Sequence, residues 1–182
     1  GGILAGVAGG VLMAKIRQVR VRPAMDLAAA GFIIGQGIGR WGNFVNVEAF
    51  GSNTSSILGM TGPKVVGYLN QVKASGAAWA QDIDPYMPVH PTFLYESVWC
   101  LTGFLIIALW LMRRRKYDGQ VFLFYTAWYG LGRFFIEGLR TDSLMWGPVR
   151  VSQVLALLAF ITATGLLIWL GQKKKKLGED FL

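Results

Sequence analysis

The residues of this chain best suited to chemistry are arginines accompanied by carboxylates and a tyrosine. One set recurs at helical spacing and comprises Tyr129, Arg133, Glu137 and Arg140. At about 100° per residue, these side chains fall within a wedge of about 80° on one helix face. Because the planar guanidinium fork of arginine forms bidentate hydrogen bonds with phosphate, this stripe predicts a phosphate site. A structural network in which Glu137 neutralises both arginines fits the same spacing.

A second polar cluster follows an apolar stretch, in the segment GRWGNFVNVEAFG at residues 39–51. Its polar members are Arg40, Asn43, Asn46 and Glu48. Its glycines, which we expect to permit tight turns, are Gly39, Gly42 and Gly51. Polar backbone at membrane depth requires a cavity or protein around it. By itself the cluster fits a helix cap with a loop, and together with the stripe it favours a site for an anionic headgroup.

The third cluster is HPTFLYE, residues 90–96, at the start of another apolar stretch. His90 is the only histidine of the chain, and Pro91 suits the first turn of a helix. Glu96 lies one turn further in. Two roles for His90 stay open: it organises the entry to the helix, or it acts as a general base.

Composition places these clusters in a membrane protein. Hydrophobic residues make up 53% of the 182 positions, charged residues only 15%, and the mean hydropathy is +0.43. A globule of this size could not bury so much apolar surface without lipid. The net charge of +8 does not indicate nucleic-acid binding, because 12 of 18 basic residues form three clusters beside apolar stretches. That arrangement is typical of cytoplasmic loops. The single cysteine, Cys100, excludes an internal disulfide, and we expect it to be buried and inert.

The apolar segments predict an all-α, polytopic membrane bundle in one domain, residues 1–182, with about five spans. These segments are residues 1–14, 23–39, 93–112, 120–139 and 151–170. Basic clusters follow the first, third and fifth, so the C-terminus is expected in the cytoplasm. Residues 52–90 then form an extracytoplasmic arm, with one short amphipathic helix near 64–74. We expect a tight helix contact along Gly31, Gly35 and Gly39, and a similar pattern at Gly6 and Gly10.

These spans bring the two polar clusters to one depth. At 1.5 Å per residue, Arg40 stands roughly 25 Å above Pro23, and Arg133 about 20 Å above Gln120. Both arginines are therefore expected near the outer-leaflet phosphates, in one pocket. The chain opens with GGILAGVAGG, without methionine and inside an apolar stretch, so we expect a fragment that lacks upstream helices.

The three clusters together resemble the prolipoprotein diacylglyceryl transferase family. GRWGNFVNVEAFG is similar to its signature, and HPTFLYE and the stripe from Tyr129 to Asp142 are similar to further motifs in the same order. The resemblance implies transfer of a diacylglyceryl group from phosphatidylglycerol to the lipobox cysteine of preprolipoproteins. The reaction would proceed at the outer face of the bacterial plasma membrane, forming a thioether and releasing glycerol phosphate, without metal or cofactor.

The resemblance also implies residue roles. Arg40 matches a lipid-binding arginine, and Arg133 matches a second essential arginine. The candidate catalytic residues are Arg40, Asn43, Glu48, His90, Tyr129, Arg133, Glu137 and Arg140. The candidate phosphatidylglycerol-binding residues are Arg40, Asn43, Asn46, Gly51 and Arg133. The general base stays unassigned, because many family members carry a histidine just before the glycine pair that Gly1 and Gly2 match.

On the sequence alone, two other functions compete with lipid transfer. A transporter or channel for an organic anion would use the arginines to line a path, although a site at the membrane midplane would then be expected. A non-catalytic scaffold would use the same residues only for internal ion pairs. Replacing Arg40 or Arg133 by lysine distinguishes a phosphate clamp, which needs the guanidinium fork, from a scaffold, which needs mainly the charge.

Overall fold

The computed structural model describes residues 2–141, 143–147 and 149–176, and they form a predominantly helical bundle. The α-helices are α1 (Gly2–Ile16), α2 (Val21–Asn46), α3 (Pro63–Ala74), α4 (Thr92–Ile106), α5 (Met112–Arg114), α6 (Gln120–Leu139) and α7 (Val151–Lys176). A π-helical turn, Ile107–Leu111, joins α4 to α5, and a 3-10 turn covers Ala78–Ala80. A short hairpin of β1 (Met145–Trp146) and β2 (Val149–Arg150) precedes α7.

The helices follow the predicted apolar segments, with one correction in α2. The short helix predicted near 64–74 is confirmed as α3, and α6 has the bounds that were predicted. The prediction of tight turns at Gly39 and Gly42 is wrong, because α2 continues through both residues to Asn46. The chain turns afterwards, where Val47 and Ala49 adopt left-handed backbone angles. The β-hairpin was not anticipated by an all-α description.

Two of the described helical runs are long and apolar enough to cross a membrane by length and composition. They are Thr92–Arg114 and Val151–Lys175. The helix α6 is not one of these runs, and its 20 residues include Arg133 and Glu137. A bundle of five spans with alternating orientation therefore stays a prediction.

The core of the bundle lies between α2, α4 and α6. Its fully buried members include Ala29 and Ile33 of α2, Cys100 of α4 and Val121 of α6. The predicted burial of the Cys100 thiol is thus confirmed. The helix α7 packs along α6, where a Cβ added to Gly130 would lie 2.8 Å from the Ala156 carbonyl oxygen. The core therefore joins three helices that carry polar residues, and α7 covers one side of α6.

A pair of tryptophans fixes α4 against α6. The rings of Trp99 and Trp128 stack with centroids 4.4 Å apart, and each indole N–H donates to the other residue's carbonyl, at 2.9 and 3.0 Å. Each ring occupies space left by a glycine on the opposite helix. A Cβ on Gly132 would lie 2.2 Å from Trp99 Nε1, and one on Gly103 would lie 2.4 Å from Trp128 Nε1. The register of the two helices therefore depends on these glycines.

The glycine contact predicted along α2 is not formed among the described residues. A Cβ added at Gly31, Gly35 or Gly39 would meet no atom within 4 Å, and the same holds for Gly6 and Gly10. The glycine of α2 that does approach another helix is Gly37, whose added Cβ would lie 3.2 Å from the Leu101 side chain. The face of α2 that packs against α4 therefore differs from the face that the four-residue glycine repeat indicated.

The arm, residues 52–90, has a small apolar core of its own. Buried Val65 and Leu69 of α3 pack with Phe50, Ile83 and Val89. The arm returns to the bundle beside its own start, because Gly51 N donates to His90 O at 2.9 Å and His90 N donates to Ser52 O at 3.0 Å. Bridges between Val89 and both Asn53 and Met60 extend this pairing.

The opposite end of the bundle is organised by a buried acid of α2. Asp26 is fully buried and accepts backbone hydrogen bonds from Gly119, at 2.8 Å, and Phe122, at 2.9 Å. Arg115 Nη1 lies 3.3 Å from the same carboxylate. Since the first N–H groups of a helix lack intrahelical partners, Asp26 caps α6 from a different helix.

Candidate functional site

Arg40 and Arg133 meet at one buried carboxylate, that of Glu96. Arg40 Nη2 lies 2.7 Å from Glu96 Oε1, and Arg133 Nη1 lies 3.0 Å from Glu96 Oε2. The three residues come from α2, α6 and α4, so each helix contributes one charge. Glu96 is 3% exposed, whereas the arginine side chains keep 22% and 18% of their surface. The two guanidinium groups, which were predicted to share a pocket, therefore meet at one carboxylate.

The stripe on α6 faces the same cluster. The Tyr129 hydroxyl donates to Glu96 Oε1 at 3.1 Å. Glu137 Oε2 lies 2.6 Å from Arg133 Nη2, an ion pair without hydrogen-bond alignment, and Glu137 is almost fully buried. Two guanidinium groups are thus balanced by two carboxylates. Because the charges balance, the free-energy cost of burying them is reduced. The alternative of a purely structural network requires the same arrangement.

The guanidinium groups retain donors for a ligand. A guanidinium carries five N–H groups. Within the described part of the chain, carboxylates engage one nitrogen of Arg40 and two of Arg133. Because both side chains keep some exposed surface, an anion can approach them from the open side. The arrangement can therefore bind a phosphate as well as hold the helices together.

The far end of the stripe joins the arm and the hairpin. Arg140 follows α6 and pairs through its backbone with Gly51. The guanidinium of Arg150, on β2, donates to the Glu137 carbonyl oxygen. Gln153 Nε2 donates to the Phe134 carbonyl at 3.0 Å. Side chains thus donate to two carbonyls in the last two turns of α6, which helps to fix the helix end that carries Glu137. Asp142 lies outside the described residues.

The predicted polar residues after Arg40 form a separate cluster. Asn43 Nδ2 and Asn46 Nδ2 both donate to Glu48 Oε1, at 3.3 and 3.2 Å. Glu48 also borders a cavity of about 230 Å³ between the end of α2 and the arm, lined in addition by Ala49, Phe50, Tyr68, Trp79 and Thr141. Asn43, Asn46 and Glu48 therefore organise the junction of α2 with the arm. They follow Arg40 closely in the sequence.

His90 lies at the same junction. Its ring nitrogen Nδ1 is 3.2 Å from the Tyr95 hydroxyl, and its backbone pairs with Gly51 and Ser52. A Cβ on Gly51 would lie 2.6 Å from the Leu139 carbonyl oxygen and 2.8 Å from His90 Cβ. Glycine is therefore required at position 51 by close approach. The observed contacts of His90 match the role of organising the helix entry.

Two residues of this site were not among the predicted ones. Glu96 belongs to the third sequence cluster and has no predicted role there, although an acid inside an apolar stretch signals a functional or paired charge. Gln36 lies one turn before Arg40, and its Oε1 is buried without a hydrogen-bond partner among the described residues. A glutamine within an apolar helix is the corresponding sequence signal. Both side chains lie on helices that already carry a predicted arginine or histidine cluster.

Comparison with known proteins connects this geometry to one family. The profile of the prolipoprotein diacylglyceryl transferase family matches residues 1–169. A phosphatidylglycerol–prolipoprotein diacylglyceryl transferase of Listeria innocua is 42% identical over 93% of this chain and 57% of its own length. Those of Lactiplantibacillus plantarum and Bacillus anthracis are 46% and 39% identical. The alignments cover 87% and 99% of this chain, and 54% and 64% of the relatives. The chain therefore spans somewhat more than half the length of these relatives.

Proposed function

This chain belongs to the prolipoprotein diacylglyceryl transferase family, and from that premise we propose that it transfers the diacylglyceryl group of phosphatidylglycerol to preprolipoproteins. The acceptor is the thiol of the lipobox cysteine, and the product is a thioether. The observation that carries the proposal is the shared contact of Arg40 and Arg133 with buried Glu96. Two guanidinium groups from different helices, held at one point, form a preorganised receptor for a phosphate diester.

The reaction needs stabilisation of a departing phosphate. The cysteine sulfur, having lost its proton, attacks the terminal glyceryl carbon that carries the phosphate. A carbon–sulfur bond forms as the carbon–oxygen bond breaks, and glycerol phosphate leaves with the electron pair. Preorganised arginines stabilise the charge that develops on the phosphate oxygen more than they stabilise the intact diester. A free cysteine has a pKa near about 8.5, so a base must assist, and no residue is assigned to that role.

Glu96 acts in this scheme as a positioning residue. Its carboxylate lies at hydrogen-bond distance from both arginines, and its charge is balanced by them. An arriving phosphate offers the same acceptor geometry as a carboxylate and engages the remaining guanidinium donors. Tyr129 and Glu137 fix Glu96 and Arg133 respectively. Arg140 completes the stripe at the helix end.

Residues at and near the junction of α2 with the arm contribute to headgroup binding. The Gln36 side chain, one turn from Arg40, is hydrogen-bonded to Tyr125, and its Oε1, which has no partner among the described residues, is an acceptor suited to a glyceryl hydroxyl. Asn43, Asn46 and Glu48 present amides and a carboxylate beside Arg40 for the same purpose. Gly51 permits the close approach of the arm to α6, and His90 fixes the start of α4. In this scheme, every predicted site residue lies at the same end of the bundle.

The family is one of bacterial membrane enzymes. We further propose that the bundle crosses the plasma membrane several times, with the arginine cluster and the arm facing outward. The basic clusters near the C-terminal ends of α1, α5 and α7 support this orientation, because they would all lie in the cytoplasm together with the C-terminus. The chemistry would then take place at the level of the outer-leaflet headgroups.

The proposal is tested by following the two halves of the lipid separately. The natural polypeptide, reconstituted in vesicles with phosphatidylglycerol labelled in its diacylglyceryl part, is incubated with a lipobox peptide. We expect label on the peptide thiol, release of glycerol phosphate, and a loss of turnover for Arg40→Lys and Arg133→Lys at unchanged helicity. Arg17→Lys, an exposed arginine away from the site, is the matched control. Vesicle leakage of organic anions without peptide labelling would identify a transporter instead.

A further inference from the structure

A separate cavity in the described part of the chain lies at the opposite end of the bundle. It has a volume of about 870 Å³ and is enclosed by the start of α2, the segment from α5 to α6, and the second half of α7. Arg22, on its rim, precedes Arg40 by 18 residues of α2, or about 27 Å at 1.5 Å per residue. The cavity is therefore separate from the candidate catalytic site.

The lining of this cavity combines positive charge with an apolar wall. Its basic residues are Arg20, Arg22, Arg113, Arg115, Lys116 and Lys174, against one acid, Asp118. The wall includes Met25 and Phe122 on one side and Leu166 and Leu170 of α7 on the other. Such a combination suits a molecule with an anionic head and a hydrocarbon part, because a small anion alone would leave the apolar wall unused.

The charge of the cavity is only partly neutralised by the protein. Arg20 lies 3.3 Å from Asp118, and Arg115 lies 3.3 Å from Asp26. Arg22 and Arg113 make no ion pair with the residues that the structure describes, and both line the cavity. Burial raises the pKa of the Tyr117 phenol, and the Asp26 charge acts in the same direction. The phenol therefore stays neutral at physiological pH and adds no negative charge to the lining.

From this lining we infer a second lipid site, which binds a glycerophospholipid with an anionic headgroup from the leaflet on the basic side of the bundle. Arg22 and Arg113 receive the phosphate, and the first part of an acyl chain lies against Leu166, Leu170 and Phe122. Basic pockets between helices at the cytoplasmic surface have the charge and shape for such headgroups. A volume of this size accommodates a headgroup with part of its chains.

The bound lipid would connect three parts of the bundle at this end. The segment from α5 to α6 carries Arg113, α2 carries Arg22, and α7 carries the apolar wall. One phosphate held by Arg22 and Arg113 would therefore add a further link between α2 and this segment, which the Asp26 cap and the Arg20–Asp118 pair already join. The site would act as a structural lipid site, with no part in the transfer reaction.

The test measures lipid retention in native mass spectrometry. The purified natural polypeptide is equilibrated in detergent with phosphatidylglycerol or phosphatidylcholine of identical acyl chains. Arg22→Gln combined with Arg113→Gln should weaken phosphatidylglycerol binding at one site about 100-fold, because two charge-assisted contacts are lost and each accounts for about tenfold. The matched control combines Arg17→Gln with Arg114→Gln, which removes the same charge from the same loops outside the cavity lining. The candidate catalytic site is intact in both proteins.

The outcomes separate the possible occupants. Loss of one phosphatidylglycerol in the cavity variant alone supports the site. Equal loss in the control variant, or equal retention of phosphatidylcholine, would overturn it in favour of diffuse surface charge or nonspecific lipid. Displacement of the lipid by millimolar glycerol phosphate would assign the cavity to a soluble anion instead. Should the double variant unfold, Leu170→Trp narrows the cavity at constant charge and should release the same lipid.

Discussion

Trp99 of α4 and Trp128 of α6 each donate an indole N–H to the other's carbonyl while their rings stack at 4.4 Å. This reciprocal contact fixes the two helices in one register, because a shift of either by one residue would break both hydrogen bonds. Glu96 precedes Trp99 by one turn, and Tyr129 follows Trp128 directly. The tryptophan pair therefore determines that the Tyr129 hydroxyl and Arg133 reach the Glu96 carboxylate.

Gly132→Ala should disturb the site from a position that carries no charge. The added Cβ would lie 2.2 Å from Trp99 Nε1 and 2.3 Å from its Cδ1, so the pair must separate. We expect destabilisation of about 1–3 kcal/mol, as for overpacking in other cores, together with reduced transferase turnover. Thermal unfolding in detergent and the peptide-labelling assay measure the two effects. Gly35→Ala, which meets no atom within 4 Å, should leave both unchanged; equal behaviour of the two variants would contradict the role of the pair.

Glu96→Gln should reduce turnover while leaving the helices assembled. The amide keeps the size of the side chain but removes the charge that holds Arg40 and Arg133 together. Misplaced catalytic groups commonly lower rates by about 100-fold, so a fall of about 10- to 100-fold in kcat is expected. The KM for phosphatidylglycerol should change much less, because the arginines still attract phosphate. Asp82→Asn, an exposed acid of the arm, is the control, and unchanged kcat in Glu96→Gln would refute the positioning role.

Asp26→Asn should weaken the bundle without touching the site. The buried carboxylate caps the start of α6 and pairs with Arg115, and an amide satisfies neither partner fully. Loss of a helix cap together with a buried charged contact is expected to cost about 2–4 kcal/mol. Asp118→Asn removes an acid of the same region whose partner, Arg20, is largely exposed, so about 0–1 kcal/mol is expected there. Similar unfolding midpoints for the two variants would show that the cap contributes little.

His90→Gln tests which of the two histidine roles applies. The imidazole contacts Tyr95, while the pairing with Gly51 and Ser52 uses the backbone, which the substitution keeps. We expect turnover within about tenfold of the unaltered protein and the same pH profile, since loss of a general base typically lowers rates by about 100-fold or more. A larger loss with an altered pH profile would assign His90 as the base. Gly51→Ala should be the more damaging change, because its Cβ would lie 2.6 Å from the Leu139 carbonyl oxygen.

The site residues were predicted from the depth that each charged residue reaches along its helix. Depth along a helix has a physical limit as a predictor. Arg40 and Arg133 were expected at one level because helices rise by a fixed distance per residue. The same reasoning did not identify Glu96 as their shared partner, because depth along a helix does not give its rotation about the axis. Gly31, Gly35 and Gly39 were misassigned for a related reason. A four-residue repeat marks a face on which close packing is possible, and only the neighbouring helix selects the face used.

The end of α2 is a second example. Gly39 and Gly42 were expected to form turns, since glycine is unfavourable within helices. Both glycines remain helical, and α2 continues beyond them to Asn46. Contacts such as the hydrogen bond from Trp41 Nε1 to Ser97 Oγ, at 3.2 Å, hold this turn of the helix against α4. Tertiary contact overrode the local propensity, as it commonly does for a cost of about 1 kcal/mol per residue.

The sequence by itself determined the helical character of the chain, the bounds of α6, the short helix of the arm, and the residues whose charge cannot face lipid. These properties follow from composition and from the fixed geometry of the helix, which are local. The tertiary structure alone decided that Glu96 joins Arg40 to Arg133, that Asp26 caps a helix from another one, and that a basic cavity lies at the opposite end. Each of these depends on how helices rotate and approach one another, which is set by the packing of many side chains at once.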